Sequence, residues 1–476
     1  MGKSDVGAAI AAKRLLAVGI GASLVALLIW LAPTALAAPA ETVAARDRDE
    51  DVRIERFLPL TAAAAGLIGV VLAARLREPR FGRGIRLATP LLVLALSLGP
   101  LAAIEPRPLN RQPSPDAQEY ADAARHLAAG EGYFVTIRRG EVQPPRYPPG
   151  FSLALAPFGW FGSYPANIQL GSKLYAMLYL VVTLVAAWVV AGPLAAAVAA
   201  ALVGSSPFAV RYASVVMSDA FGAALAVAAL AFIARPTPPR LAGAGLAVGA
   251  LIAVRLSGVL NLAALLAASF ATAGHRVSWW GRMLLAGGAA VGMLLVAGQQ
   301  WLTFGNPLAT GYAYWLPEIR TFGLDYPLSL DSLRDGSGIV ADSLDGLLVR
   351  AFCPCPDDDP LRAFRPVTLY PLAVFGIFWI FVPPLTTIPG AIEVWRRRRE
   401  PGPAYVLWLT IITVLFHLIY YYLGARFVAG PTTLLAIYSG AFVARYVEGW
   451  VHAVPDPTHD RAQAPRRMPL ERADVG

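Results

Sequence analysis

The stretch SKLYAMLYLVVTLVAAWVVA (172–191) decides the fold class. Beyond Lys173 it carries no charge, and as a helix it has the length that spans a bilayer's hydrocarbon core, about 17–25 residues. PLAAAVAAALVGSSPFA (193–209) follows at once, and comparable runs lie on both sides. Apolar spans are read at 15–37, 57–75, 86–104, 172–191, 193–209, 211–234, 241–254, 256–273, 283–304, 368–392, 403–423 and 426–447. The chain is 57% hydrophobic and only 15% charged, with a mean hydropathy of +0.55. Soluble chains carry about 25% charged residues, so much of this surface faces lipid. The expected fold is an all-α polytopic membrane protein with about twelve transmembrane helices.

Within this pattern the pair 241–254 and 256–273 is short, and Arg255 interrupts it. It is read as two short helices meeting near the outer interface; one long helix with a buried arginine is the alternative. The first span follows Lys13 and Arg14 and ends near ALAAPA (35–40), whose small residues resemble a cleavage site. Its apolar core suits an uncleaved anchor.

Positive charge in short loops orients the chain. Segment 75–86 carries Arg75, Arg77, Arg80, Arg83 and Arg86, and WRRRRE (395–400) packs four arginines together. With both inside, RPTPPR (235–240), GHRVSWWGR (274–282) and both termini fall on the cytoplasmic side. The acidic stretch 41–55 and the long loops 105–171 and 305–367 fall outside. Three regions result: an N-terminal extension of two spans (1–85), a main transmembrane region (86–447) and a basic, structureless cytoplasmic tail (448–476).

The net charge of +9 resides mainly in these short loops, with no basic stripe interleaved with aromatics, so nucleic acid is not a partner. Cys353 and Cys355 stand too close for an unstrained bridge and are read as incidental thiols. PDDDP (356–360) reads as a solvated loop, and no His/Cys spacing suits a metal. Walker and Rossmann patterns are absent, which disfavours a nucleotide-driven activity.

The first long loop contains PSPDAQEYADAARHLAAGEGY (113–133). Ser114–Pro115 reads as a cap and first-turn pair, and Gly130 or Gly132 ends the helix. Helical spacing places Asp116, Glu119 and Tyr120 on one face, close to the membrane surface. Asp116 is equally favoured there by the helix dipole alone. Asp219 lies inside the span 211–234, where an ionisable residue is a functional candidate by default. Pairing with Arg211 or Arg255 is its structural alternative. His417, mid-span beside Tyr420, Tyr421 and Tyr422, reads as a hydrogen-bonded structural residue.

The D-x-x-x-Y helix ending in G-x-G-Y is followed by RYPPGFSLALAPF (146–158), MSDAF (217–221) and AVRLSG (253–258). FGNPLATGYAYW (304–315) and YYLGARFVAGP (421–431) complete the set. In this order, over about 88–447, the segments resemble the GT-C superfamily of polyprenyl-phosphate-sugar-dependent glycosyltransferases. The likeness is to the bacterial branch of protein O-mannosyltransferases and aminoarabinose lipid A transferases. That resemblance implies a GT-C-like fold whose external loops carry short helices, in a bacterial inner (plasma) membrane. It implies an inverting transfer of a sugar from a polyprenyl-phosphate donor to a glycan, lipid or protein acceptor, among membrane lipids. It assigns the general base to Asp116. Many members have two adjacent acids there, whereas Ala117 follows Asp116 here, so Glu119 is retained as a second acid. Arg146, Arg426, Arg255, Arg211 and Lys173 are candidates for the donor phosphate, the first two foremost, with lipid-interface anchoring the alternative for each. Asp219, Tyr120 and Tyr147 are supporting residues. No metal is required; a divalent cation, if used, would find oxygen ligands only at Asp116, Glu119 and Asp219. A transporter or flippase, and a catalytically inactive accessory subunit of the same fold, remain as alternatives.

Overall fold

The computed structural model describes residues 67, 68, 71, 79–112, 116–137, 140–271, 277–315, 386–419 and 425–453. The span at 15–37, both cysteines, PDDDP and the Ser114–Pro115 cap lie outside the described residues, as do most of segment 1–85 and the tail beyond 453. Within the described residues every regular element is helical, and the β structure amounts to one bridge between Val135 and Gln143.

The helices are α1 (Pro79–Ala103), α2 (Asp116–Ala128), α3 (Gly150–Leu155), α4 (Ala166–Gly204), α5 (Pro207–Ser214) and α6 (Asp219–Ile233). They continue with α7 (Pro238–Val254), α8 (Gly258–Ala271), α9 (Trp279–Phe304), α10 (Gly311–Trp315), α11 (Ile388–Arg396), α12 (Pro401–Ile419) and α13 (Ala425–Ala453). Two of them, α4 and α9, are long and apolar enough to cross a membrane; α6, α7 and α8 are apolar but shorter.

Two of the expected spans, 193–209 and 211–234, are redrawn, while the expected division at residue 192 falls on a break in one long element. The spans 172–191 and 193–209 share α4, broken where Ala191 and Gly192 leave helical geometry before Pro193, a residue that cannot supply the missing N–H. The second span then stops short, because Ser206 caps α5: its Oγ accepts from the Ala209 N–H, and Pro207 occupies the first turn. The span 211–234 is interrupted at 215–218, ahead of α6. Backbone groups freed there find partners elsewhere: the Val216 N–H donates to Gln112 Oε1 (2.6 Å), Ser172 Oγ donates to the Val215 carbonyl (3.0 Å) and the Arg107 N–H to the Ser214 carbonyl (2.9 Å). A helix break inside an apolar region persists only when its polar groups are satisfied in this way. Between 241 and 273 the chain does form two helices, with Arg255 extended at the end of α7.

Helices α7 and α9 pack backbone to backbone. Gly245 and Gly249 face Gly288 and Gly292, and a Cβ on Gly292 would lie 1.8 Å from the Gly249 carbonyl oxygen. Small residues permit this approach. The opposite side of α9 presents Val291, Leu294 and Leu302 outward, the last 87% exposed. At the far end of the bundle α11 is fastened to α13, where buried Glu393 meets Arg445 at 2.6 Å and Arg397 at 3.8 Å. The four-arginine run is therefore partly neutralised, since Arg397 also pairs with Glu400.

Candidate functional site

Helix α2 sets the site. Asp116 and Glu119 lie in its first turn and Arg125 and His126 in its last, an arrangement that complements the helix dipole. Gly130, with φ +73°, turns the chain out of it. Ala117, Ala121 and Ala124 are fully buried against Phe151, Leu155, Ile168, Val216 and Val254. Their small side chains let the helix sit close to α3, α4 and the end of α7. Further along, Asp122 accepts from the Thr136 backbone N–H (2.6 Å) and from Arg125 (2.7 Å). Burial raises the Asp122 carboxyl, but these donors outweigh it and hold the group below its ordinary value.

The RYPPG segment is brought over this surface by a close contact: a Cβ on Gly150 would lie 2.5 Å from the Ala253 carbonyl. The contact places Tyr147 and Arg255 beside the same space. Two hydrogen bonds fix the loop around it. Tyr133 Oη donates to the Tyr147 carbonyl (2.8 Å), and Ser152 Oγ donates to the Tyr120 carbonyl (3.3 Å).

Between these elements lies a cavity of about 430 Å³. Asp116, Tyr120, Tyr147, Asp219 and Arg255 line it together. The Tyr120 hydroxyl is hydrogen-bonded to Ser218 Oγ (3.0 Å), and the ring stacks on Tyr147 with centroids 4.7 Å apart. Burial drives both phenols well above their ordinary value, so each enters chemistry as a neutral hydroxyl. Arg255 Nη1 donates to Asp219 Oδ1, and Asp219 Oδ2 is buried without a hydrogen-bond partner. A second chamber of about 60 Å³ is lined by the same pair together with Asn261, Thr413 and Pro431. The Arg255–Asp219 pair thus borders both spaces.

No protein-family model and no curated protein sequence matches the chain. Among solved structures it is similar to ArnT from Cupriavidus metallidurans in the apo state, at 19% identity and a TM-score of 0.48, over 78% of this chain and 61% of that one. The same enzyme bound to undecaprenyl phosphate gives 14% and 0.47, over 78% and 62%. The oligosaccharyltransferase AglB of Archaeoglobus fulgidus, in complex with an inhibitory peptide and a dolichol-phosphate, gives 13% and 0.43, over 80% and 52%. The chain spans less than two thirds of the length of each.

Among the described residues, the other candidates, Glu119, Arg146, Lys173 and Arg211, do not line the cavity. Glu119, expected on the same helical face as Asp116, turns instead to Arg146. Its Oε2 accepts the Arg146 backbone N–H (3.2 Å), and its Oε1 lies 3.4 Å from Arg146 Nη2. The carboxylate is 1% exposed, so it braces the loop one residue before Tyr147. Lys173 donates to the Ala102 and Ile104 carbonyls at the end of α1, where the helix leaves acceptors unpaired, and is engaged there as a cap. Arg211 is exposed on α5, and Asp219 pairs with Arg255 rather than with it. Arg426 lies in the first turn of α13; its side chain, like that of His417, lies outside the described residues. Among the described residues no group of three or more His, Cys, Asp or Glu could hold a metal ion.

Further residues with no local sequence signal also belong to the site. Ser218, Ser257, Thr310, Tyr312 and Phe416 line the cavity. Tyr312 stood within a segment noted only for its order along the chain, and nothing in local spacing marks it as facing Tyr147.

Proposed function

We propose that the chain is an integral membrane glycosyltransferase that moves a sugar from a polyprenyl-phosphate donor to an acceptor on the non-cytoplasmic face. The observation that carries this reading is the convergence of Asp116, Tyr120, Tyr147 and the Arg255–Asp219 pair, from four separate elements, on one cavity. Pockets of this kind, mostly apolar with a few convergent polar groups, suit small-molecule chemistry. The apolar α4 and α9, and the outward leucines of α9, support a lipid setting, within which about twelve spans and cytoplasmic termini complete the arrangement.

In this mechanism Asp116 accepts the proton of the acceptor hydroxyl. The acceptor oxygen forms its bond to the anomeric carbon from the face opposite the phosphate, and the carbon–oxygen bond to phosphate breaks with its electron pair. Inversion follows from this in-line geometry. Charge grows on the departing phosphate, and Arg255 offsets it, with Arg146 and Arg426 as further candidates for the same role. Asp219 holds the Arg255 guanidinium in place, and Glu119 positions Arg146. A glycan, a lipid or a protein hydroxyl fits this chemistry as acceptor.

The test is mass spectrometry of extracted lipids from cells lacking the protein. A lipid-linked sugar accumulates and disappears on re-supply of the wild type. An unchanged lipid-linked sugar pool would sink the proposal.

A further inference from the structure

Tyr147 and Tyr312 meet at right angles, with ring centroids 5.7 Å apart, and both line the cavity beside Asp116. The two rings come from opposite ends of the sequence region: Tyr147 from the first long loop, Tyr312 from the short helix that opens the second. Their meeting is built. A Cβ on Gly311 would lie 2.3 Å from the Pro145 carbonyl oxygen, so α10 touches the first loop's backbone directly. Trp315 Nε1 donates to the Pro144 carbonyl (2.8 Å), and the Arg146 guanidinium lies 5.7 Å from the Trp315 ring. Tyr147 is held from behind by its stack on Tyr120. Thus residues 144–147 carry both the brace for α10 and one wall of an aromatic corner.

Such a corner has a chemical use. The C–H bonds on one face of a sugar ring are polarised positive by neighbouring oxygens, and the face of an aromatic ring carries negative charge density. Two rings at right angles offer a face and an edge, which fixes the orientation of a flat ring more tightly than one ring can. The neutral phenols beside it provide hydroxyls for the sugar's rim.

We propose that Tyr147 and Tyr312 form the platform that receives the transferred sugar ring, and that Trp315 is the positioning residue that holds Tyr312 there. The proposal rests on the glycosyltransferase reading and narrows it to sugars with a continuous C–H face. It makes sugar selectivity a shared property of the two external loops.

Titration of the purified full-length chain with three probes tests it: citronellyl phosphate alone, and citronellyl phosphate carrying a mannose or an arabinose ring. The wild type binds at least one glycosylated probe about tenfold more tightly than citronellyl phosphate, the size expected of an aromatic contact on a ring. Tyr312→Ala removes that increment while leaving citronellyl phosphate binding unchanged; Tyr312→Phe retains it. Trp315→Phe, which keeps the ring and loses the N–H, weakens the increment without abolishing phosphate binding. An increment that survives in Tyr312→Ala overturns the platform alone. Equal binding of all three probes by the wild type overturns it as well, as does loss of citronellyl phosphate binding in Tyr312→Ala. If the wild type binds none of the probes, the glycosyltransferase reading falls and the platform with it.

Discussion

Arg255, in the first extended position after α7, donates to Asp219 in the first turn of α6, and the two residues together line both the larger cavity and the small chamber. The pair forms where α7 ends: Arg255 has extended backbone there, while its N–H still donates to the Leu251 carbonyl. Asp219 is 1% exposed and Arg255 17%, so neither charge is well hydrated without the other.

Breaking one half of this pair leaves an uncompensated buried charge. Asp219→Ala and Arg255→Ala are each expected to cost about 3–5 kcal/mol of stability, and the double variant less than their sum. Thermal unfolding of the four proteins in one detergent measures the coupling. Additive losses would show that the two residues do not act as a pair.

Glu119 and Asp116 share a helical turn but have different surroundings, and their variants should separate. On the proposed mechanism Asp116→Asn removes the general base and is expected to lower turnover by about 10²–10⁴-fold with little change in stability. Glu119→Gln keeps one acceptor for the Arg146 N–H and is expected to act more weakly, by about tenfold, through misplacement of the loop. Turnover and melting temperature of both variants decide the matter; equal losses in turnover would assign Glu119 to the chemistry.

The brace behind the site carries a pH dependence. Asp122 is held below its ordinary value of 3.8 in the folded chain. A carboxyl lowered by folding stabilises the fold above its unfolded value, and that contribution is lost as pH falls from about 3.8 through the lower folded value. Asp122→Ala should therefore destabilise the chain by about 2 kcal/mol at neutral pH, the scale of charge-assisted hydrogen bonds. The difference from wild type should shrink as pH falls below that window. A difference constant from pH 7 to pH 2 would contradict the assignment.

The α7–α9 contact admits no side chain at Gly292. Gly292→Leu must separate the two backbones and is expected to cost at least about 3 kcal/mol or to prevent folding, whereas Gly298→Leu, with nothing within 4 Å of its Cβ position, is expected to be tolerated. Expression level and unfolding midpoint of the two variants give the comparison.

The helical class and the break at Arg255 were legible because apolar run length and one charge in the middle of a run are local signals. Asp116 and Tyr120 were legible as a pair because four residues make one helical turn. The break at 215–218 was not legible, since it exists only through partners such as Gln112 and Ser172, more than 40 residues away in each case. Lys173 resembled a phosphate ligand at the end of an apolar run, yet only the position of α1 reveals that it donates to the Ala102 and Ile104 carbonyls. The same holds for Glu119, whose partner Arg146 is 27 residues distant. Tyr312 illustrates the point in reverse, as its place in the cavity lining is visible only through its contact with Tyr147, 165 residues away.

The most direct measurement of the central claim is the lipid-linked sugar pool in cells lacking the chain and re-supplied with Asp116→Asn at wild-type abundance. The accumulated polyprenyl-phosphate sugar is expected to persist with the variant and to be cleared by the wild type. Clearance by Asp116→Asn to the wild-type level would contradict it and remove Asp116 from the reaction.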